Sequence, residues 1–172
     1  LREAVCMDAI LKRRSVRKFT NQDISDEFIK KLLAAGMSAP SAGNEQPWHF
    51  IVVRNKEALK TLSECGPYAR ALAGAPAGIV VCADLGLERH EGYWAQDCSA
   101  CTENILIEAA ALGLGAVWLS VYPPQDRVRY VKDFFHLPEQ VIPFAMVAVG
   151  YPAQTIAVPE RFNESRLHYE KW

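Results

Sequence analysis

Long apolar runs are missing from this 172-residue chain. The longest apolar region, residues 105–122, is interrupted by Glu108, Gly113 and Gly115 and divides into a helix end and a strand, which excludes a membrane span. HExxH, Walker A, G-x-S-x-G and paired CxxC motifs are also absent, so zinc proteases, P-loop nucleotidases, serine hydrolases and zinc ribbons fall away. Four histidines (His49, His90, His136, His168) stand far apart without ligand spacing, and no metal site is expected. No pair of carboxylates is marked as an acid and base couple. An excess of one charge is lacking too. With a net charge of -1, the chain has no wide basic face for nucleic acid.

Internal repeats and low-complexity linkers are not seen, and neither is a secretory leader in the mixed, charged first twenty residues. Leu1 in place of Met points to missing leading residues. The five cysteines are odd in number and scattered, which reads as reduced thiols in a cytoplasmic protein. Cys98 and Cys101 have redox spacing, but they fall inside a long helical pattern and read as small core residues one turn apart.

What is present is a half-hydrophobic chain whose length favours one domain over residues 1–172. A domain of this size removes about 70% of its unfolded surface from water and needs no covalent staple. Helices are expected over 3–13, from Ser25 as N-cap to Pro40, over 56–64, over 92–112 and over 126–135. Strands are expected over 49–54, 77–83, 116–122 and 144–149, the second apolar throughout and so buried on both faces. On pattern alone this alternation suggests a parallel sheet, although four strands with long connections fit a mixed sheet equally well. Residues 153–172 show no periodicity and end in Tyr169 and Trp172, a tail that should pack on its own chain or a second one.

Two stretches carry chemistry. Lys12, Arg13, Arg14, Arg17 and Lys18 surround Ser15, and no carboxylate follows until Asp23. A hydroxyl between guanidinium forks suits a phosphate, while a solvated basic patch is the plainer alternative. Residues 39–48, small and polar between Pro40 and Pro47, form a loop that lets backbone approach a flat ligand, or a simple helix-to-strand turn. With so few candidate side chains, the chain either binds without catalysing or takes its chemistry from an organic cofactor.

Taken together, Arg13-Arg14-Ser15-Val16-Arg17, the segment Ala39-Pro40-Ser41-Ala42-Gly43-Asn44-Glu45-Gln46-Pro47-Trp48-His49-Phe50, Gly113-Leu114-Gly115-Ala116-Val117-Trp118-Leu119 and Arg161 resemble the nitroreductase family of FMN enzymes. The resemblance runs from about residue 8 to the C-terminus. It implies an α+β, three-layer fold with a mostly antiparallel mixed sheet flanked by helices. It also implies a long central helix at the interface of a homodimer and two FMN sites built from both chains, with residues 153–172 packing on the partner subunit. Arg13, Ser15 and Arg14 would hold the FMN phosphate and ribityl chain, and Arg161 would complete the phosphate site. Arg17 would lie near N1 and the C2 carbonyl, where a fixed cation stabilises the negative charge that reduction leaves. Pro40, Ser41 and Ala42 would approach the ring from the partner subunit, with Asn44 nearby. Trp118, Leu119 and Ser120 would line the ring near N5.

The implied activity is ping-pong hydride transfer from NADH or NADPH to a small-molecule oxidant such as a nitroaromatic or quinone, with no catalytic side chain required. A reductive dehalogenase or flavin-modifying enzyme would need a dedicated lid, and residues 54–92 hold no insertion of that kind. A non-catalytic flavin-binding module shares the same motifs, and a basic-patch interaction protein would be colourless.

Overall fold

The computed structural model describes residues 9–172. Most of the helix expected over 3–13 lies outside the described residues, and residues 9–12 are helical. Helix α1 (Asp26–Met37) starts where the Ser25 hydroxyl accepts from the Phe28 N–H at 3.2 Å, with Asp26 and Glu27 set against the positive end of the helix dipole. It leads through a 3-10 turn, Ala42–Asn44, into β1 (Trp48–Val53). Then come α2 (Lys56–Leu62), a 3-10 segment Ala69–Gly74, β2 (Ala77–Asp84), α3 (Trp94–Ala111), β3 (Gly115–Ser120), α4 (Gln125–Phe135) and β4 (Val141–Gly150).

The four strands form one sheet in the order β1-β2-β4-β3, every neighbouring pair antiparallel. The parallel arrangement drawn from the helix–strand alternation is therefore corrected. The 54–76 connection turns the chain back beside β1, and helices between strands do not by themselves demand a same-direction crossover. The antiparallel, layered α+β arrangement implied by the family resemblance is the one observed.

Side-chain alternation sorts the two cores. Ile79, Val81, Ala145 and Val147 face α1 and α3, together with Cys98, Cys101 and Ile105. Val80, Cys82, Met146 and Ala148 face the other way, toward Leu59, Leu62, Val128 and Val131. Both faces of β2 are covered, which is why its sequence carries no polar side chain over residues 77–83. Cys98 and Cys101 are fully buried core residues. Desolvation pushes the Cys101 thiol up to about 12, far from the thiolate a redox pair needs.

An irregularity in the β2–β4 ladder, where Val81 pairs with Ala145 and Cys82 with Pro143, leaves Phe144 as an extra residue. Its ring joins Trp94, Trp118 and Tyr122, with Trp94 and Tyr122 edge to face at 4.7 Å. After β4 the chain runs along the body to about residue 156, and from Ala157 onward every residue is exposed.

Candidate functional site

The basic stretch is docked, not loose. Ser15 bridges Ala116, Val16 N–H donates to the Ala116 carbonyl at 3.0 Å, and Phe19 bridges Pro152. Gly115 makes this docking possible, because a Cβ there would lie 2.6 Å from Val16 Cγ1. The arginines are thus held at the first residues of β3, an edge strand.

From this base the side chains spread into a cleft of about 510 Å³ lined by Ile10, Leu11, Arg13, Arg14, Val158, Glu160, Arg161 and Phe162. Arg14 Nε donates to the Ala157 carbonyl at 3.1 Å, so the turn itself anchors the start of the tail. Arg13 Nε pairs with Glu103 of α3 at 3.1 Å. A bond at Nε leaves the two terminal NH2 groups of that fork for another acceptor. Desolvation, then the charges of Arg161 and Arg13, hold the Arg14 guanidinium below its ordinary range. Three guanidinium groups sharing one cleft have the donor chemistry to receive an anion. Arg17 lies further along the turn, exposed, with Nη1 donating to the Ser15 carbonyl at 3.3 Å.

The 40–47 loop sits elsewhere. It enters β1 at the opposite edge and the opposite end of the sheet from the start of β3. Three strand spacings across, about 14 Å, and the length of a six-residue strand along separate the two corners. Asn44 accepts from its neighbour Gln46 at 2.9 Å through its side-chain oxygen. Pro40 is exposed, Ser41 and Ala42 are partly exposed, and the Ala42 N–H is already committed to Asp97 of α3.

Trp118 and Ser120 lie further along the edge strand β3 from the arginines. Trp118 packs on the α3-facing core and Ser120 is exposed, its carbonyl accepting from Arg127 at 3.3 Å. Alternation turns the Leu119 side chain into the opposite core, 3% exposed, so Leu119 offers a ligand its backbone. One protomer therefore gathers Arg13, Arg14, Ser15 and Arg161 near one end of β3, with 118–120 along the same edge. It leaves the Pro40 loop at a distant corner.

Three carboxylates escaped the sequence reading: Glu45, Asp97 and Glu103. Asp97 falls in the buried stripe of α3 with Cys98, Cys101 and Ile105, and a charge at that helical spacing was the available signal. Among the described residues no cluster of His, Cys, Asp or Glu could hold a metal ion, and no helix is long and apolar enough to cross a membrane.

Fold and cleft first define a class: a layered α+β protein presenting convergent guanidinium groups beside the free edge of its sheet. The chain belongs to the nitroreductase family, whose model matches residues 10–65 and 60–151. It is 48% identical over 166 residues to a protein of Methanothermobacter thermautotrophicus provisionally named NADH dehydrogenase/NAD(P)H nitroreductase, covering 96% of this chain and 87% of that one. Among solved structures, a provisionally named NADH oxidase from Clostridium acetobutylicum matches with a TM-score of 0.94 at 44% identity, covering 96% of this chain and 100% of that one. A provisionally named nitroreductase from Desulfovibrio desulfuricans, solved in complex with FMN, matches with a TM-score of 0.83 at 31% identity over 97% of each chain.

Proposed function

We propose that the chain is an NAD(P)H-dependent FMN oxidoreductase working as a homodimer, with each flavin site drawn from both subunits. The observation that carries this reading is the convergence of Arg13, Arg14 and Arg161, from opposite ends of the chain, on one cleft beside the edge of β3. That donor set fits a phosphomonoester, since forked donors match its oxygens and the cations need a counter-charge. The relatives' names supply the redox partners: an NAD(P)H nitroreductase, and a nitroreductase solved with FMN.

Arg13, Arg14, Ser15 and Arg161 would hold the phosphate and ribityl chain. Residues 118–120 would border the ring, Leu119 through backbone alone. Arg17 would place positive charge by its pyrimidine edge. When bound, FMN supplies a two-electron carrier that accepts hydride from NADH or NADPH and passes the electrons to a nitroaromatic, quinone or similar acceptor in ping-pong order.

The distance between the corners supports a composite site. A mononucleotide laid along β3 still ends three strand spacings, about 14 Å, from the entrance to β1 in its own protomer, so Pro40, Ser41, Ala42 and Asn44 would come from the partner. The tail supports it too. Val158, Phe162, Tyr169 and Trp172 stand in water on a single chain, and a second copy is what such a ribbon would cover.

The decisive experiment is anaerobic. Purified protein should be yellow, bleach on adding NADH or NADPH under nitrogen, and regain colour with a quinone. Colourless protein that takes up no FMN when supplied with it would end the proposal, and yellow protein that neither nucleotide bleaches would reduce it to a binding module.

A further inference from the structure

The turn that leads into β1 is poorly self-sufficient. Gly43, Asn44 and Gln46 have φ of 52°, 57° and 52°, and two of these are not glycine. Locally it has two short-range backbone bonds, Asn44 N–H to the Ser41 carbonyl at 3.1 Å and Glu45 N–H to the Ala42 carbonyl at 3.0 Å, with the Ser41 hydroxyl accepting from the Gln46 N–H at 3.0 Å and the Asn44–Gln46 side-chain bond. What ties it to the body is a pair of buried carboxyls. Asp97 Oδ1, on α3, accepts the Ala42 N–H at 3.0 Å. Glu45 Oε1, on the turn itself, accepts the Arg89 and His90 N–H groups at 2.8 and 2.6 Å. The residues are 5% and 7% exposed, and the second oxygen of each, Asp97 Oδ2 and Glu45 Oε2, is buried without a partner.

Two ionised carboxylates so placed would each leave a desolvated oxygen without a donor, and a proton on one of them removes that cost at one of the two sites. We infer that Asp97 and Glu45 are positioning residues, a carboxyl clamp with one member kept uncharged, which holds the 42–46 turn in the shape that meets the flavin. The inference rests on the flavin reading above.

Asp97 is the member whose surroundings favour the proton. It accepts one N–H where Glu45 accepts two. Burial drives its carboxyl above the usual range; the Ala42 N–H opposes this, and the charges of Glu45 and Glu88 add to it. The ionisable groups that act on it are Glu45 on the turn, Glu88 on the segment before α3 and Cys98 beside it on α3. Glu88 Oε1 is taken by the Gly92 N–H at 2.6 Å, and the His90 ring packs against Gly43. The Cys98 thiol is pushed well above its ordinary range by burial and stays neutral.

A carboxyl raised in the folded state binds its proton more tightly there than in the unfolded chain. Its contribution is therefore complete below the ordinary carboxylate range and is lost as pH rises through the raised value.

The test is FMN affinity, read by quenching of flavin fluorescence from mildly acidic to mildly alkaline pH, in wild type, Asp97→Asn and Asp97→Ala. Asparagine keeps the acceptor for Ala42 and puts an amide where the protonated oxygen was. Asp97→Asn should bind as wild type does at low pH and show a flatter pH profile. His90 and Glu88 are common to both proteins and cancel in that comparison. Asp97→Ala should bind about tenfold more weakly, the equivalent of one lost hydrogen bond.

Wild-type affinity in Asp97→Ala, an unchanged profile in Asp97→Asn, or an Asp97→Asn as weak as the alanine variant would each overturn the clamp. If Asp97→Ala does not fold, the asparagine comparison decides alone. If the wild type binds no FMN, the flavin reading fails by itself. The clamp's retained proton is then judged on the apoprotein, where a flatter pH dependence of thermal unfolding in Asp97→Asn supports it and an identical one refutes it.

Discussion

Two corners of the sheet solve opposite electrostatic problems. At the start of β3, Arg13, Arg14 and Arg161 share a cleft where positive charge is concentrated, the donor set proposed above for a phosphate. At the entrance to β1, Asp97 and Glu45 are buried against backbone N–H groups, and the fold must suppress a charge to keep them there. The contrast teaches what each corner is for. Excess charge left exposed serves a ligand, whereas excess charge buried and half-satisfied serves the shape of the backbone.

The largest effect should come from the first corner. Arg13→Ala removes a forked donor and should weaken FMN binding roughly 10- to 150-fold, as expected for hydrogen bonds to a charged group. Equilibrium dialysis measures it, and retention of FMN at wild-type strength would mean that the cleft is not the phosphate site. The second corner should answer in stability before affinity. Gly43→Ala puts a side chain at φ 52° and a Cβ 2.6 Å from His90 Nε2, and should cost about 1–3 kcal/mol in chemical denaturation. An alanine variant as stable as wild type would show that the turn relaxes freely and needs no clamp.

The smallest effect separates residues within the basic stretch. Arg17 is exposed and apart from the cleft, so Arg17→Ala should change FMN affinity by no more than about threefold. The flavin midpoint should instead move about 15–30 mV more negative, because a cation that favours the reduced form is gone. Loss of FMN at an unchanged potential would merge Arg17 with the phosphate ligands and erase the division.

Much of this was legible in advance for local reasons. Ser25 with two acidic residues behind it marks a helix start, and the unbroken apolar run at 77–83 marks a doubly covered strand. Strand direction was legible only through the family resemblance, because it depends on where the 54–76 connection returns, a tertiary matter that helix–strand alternation does not encode. At the site, the cations were visible as a cluster and Arg161 only through the family resemblance. Leu119 could have been placed by alternation, since Trp118 and Ser120 flank it on the opposite side of the strand. Asp97 and Glu45 were passed over because a lone carboxylate in sequence usually lies in water, and only the packed turn reveals that these two do not.

The exposed tail has a quantitative consequence. Phe162 and Trp172 are uncovered on one copy and Arg161 lies on the same ribbon, so in the dimer proposed above cofactor loading and self-association would be linked equilibria. Dilution would then strip flavin from the protein even with free flavin held constant, and flavin in excess would draw dilute protomers together. Yellowness would become a gauge of how much protein is in the tube.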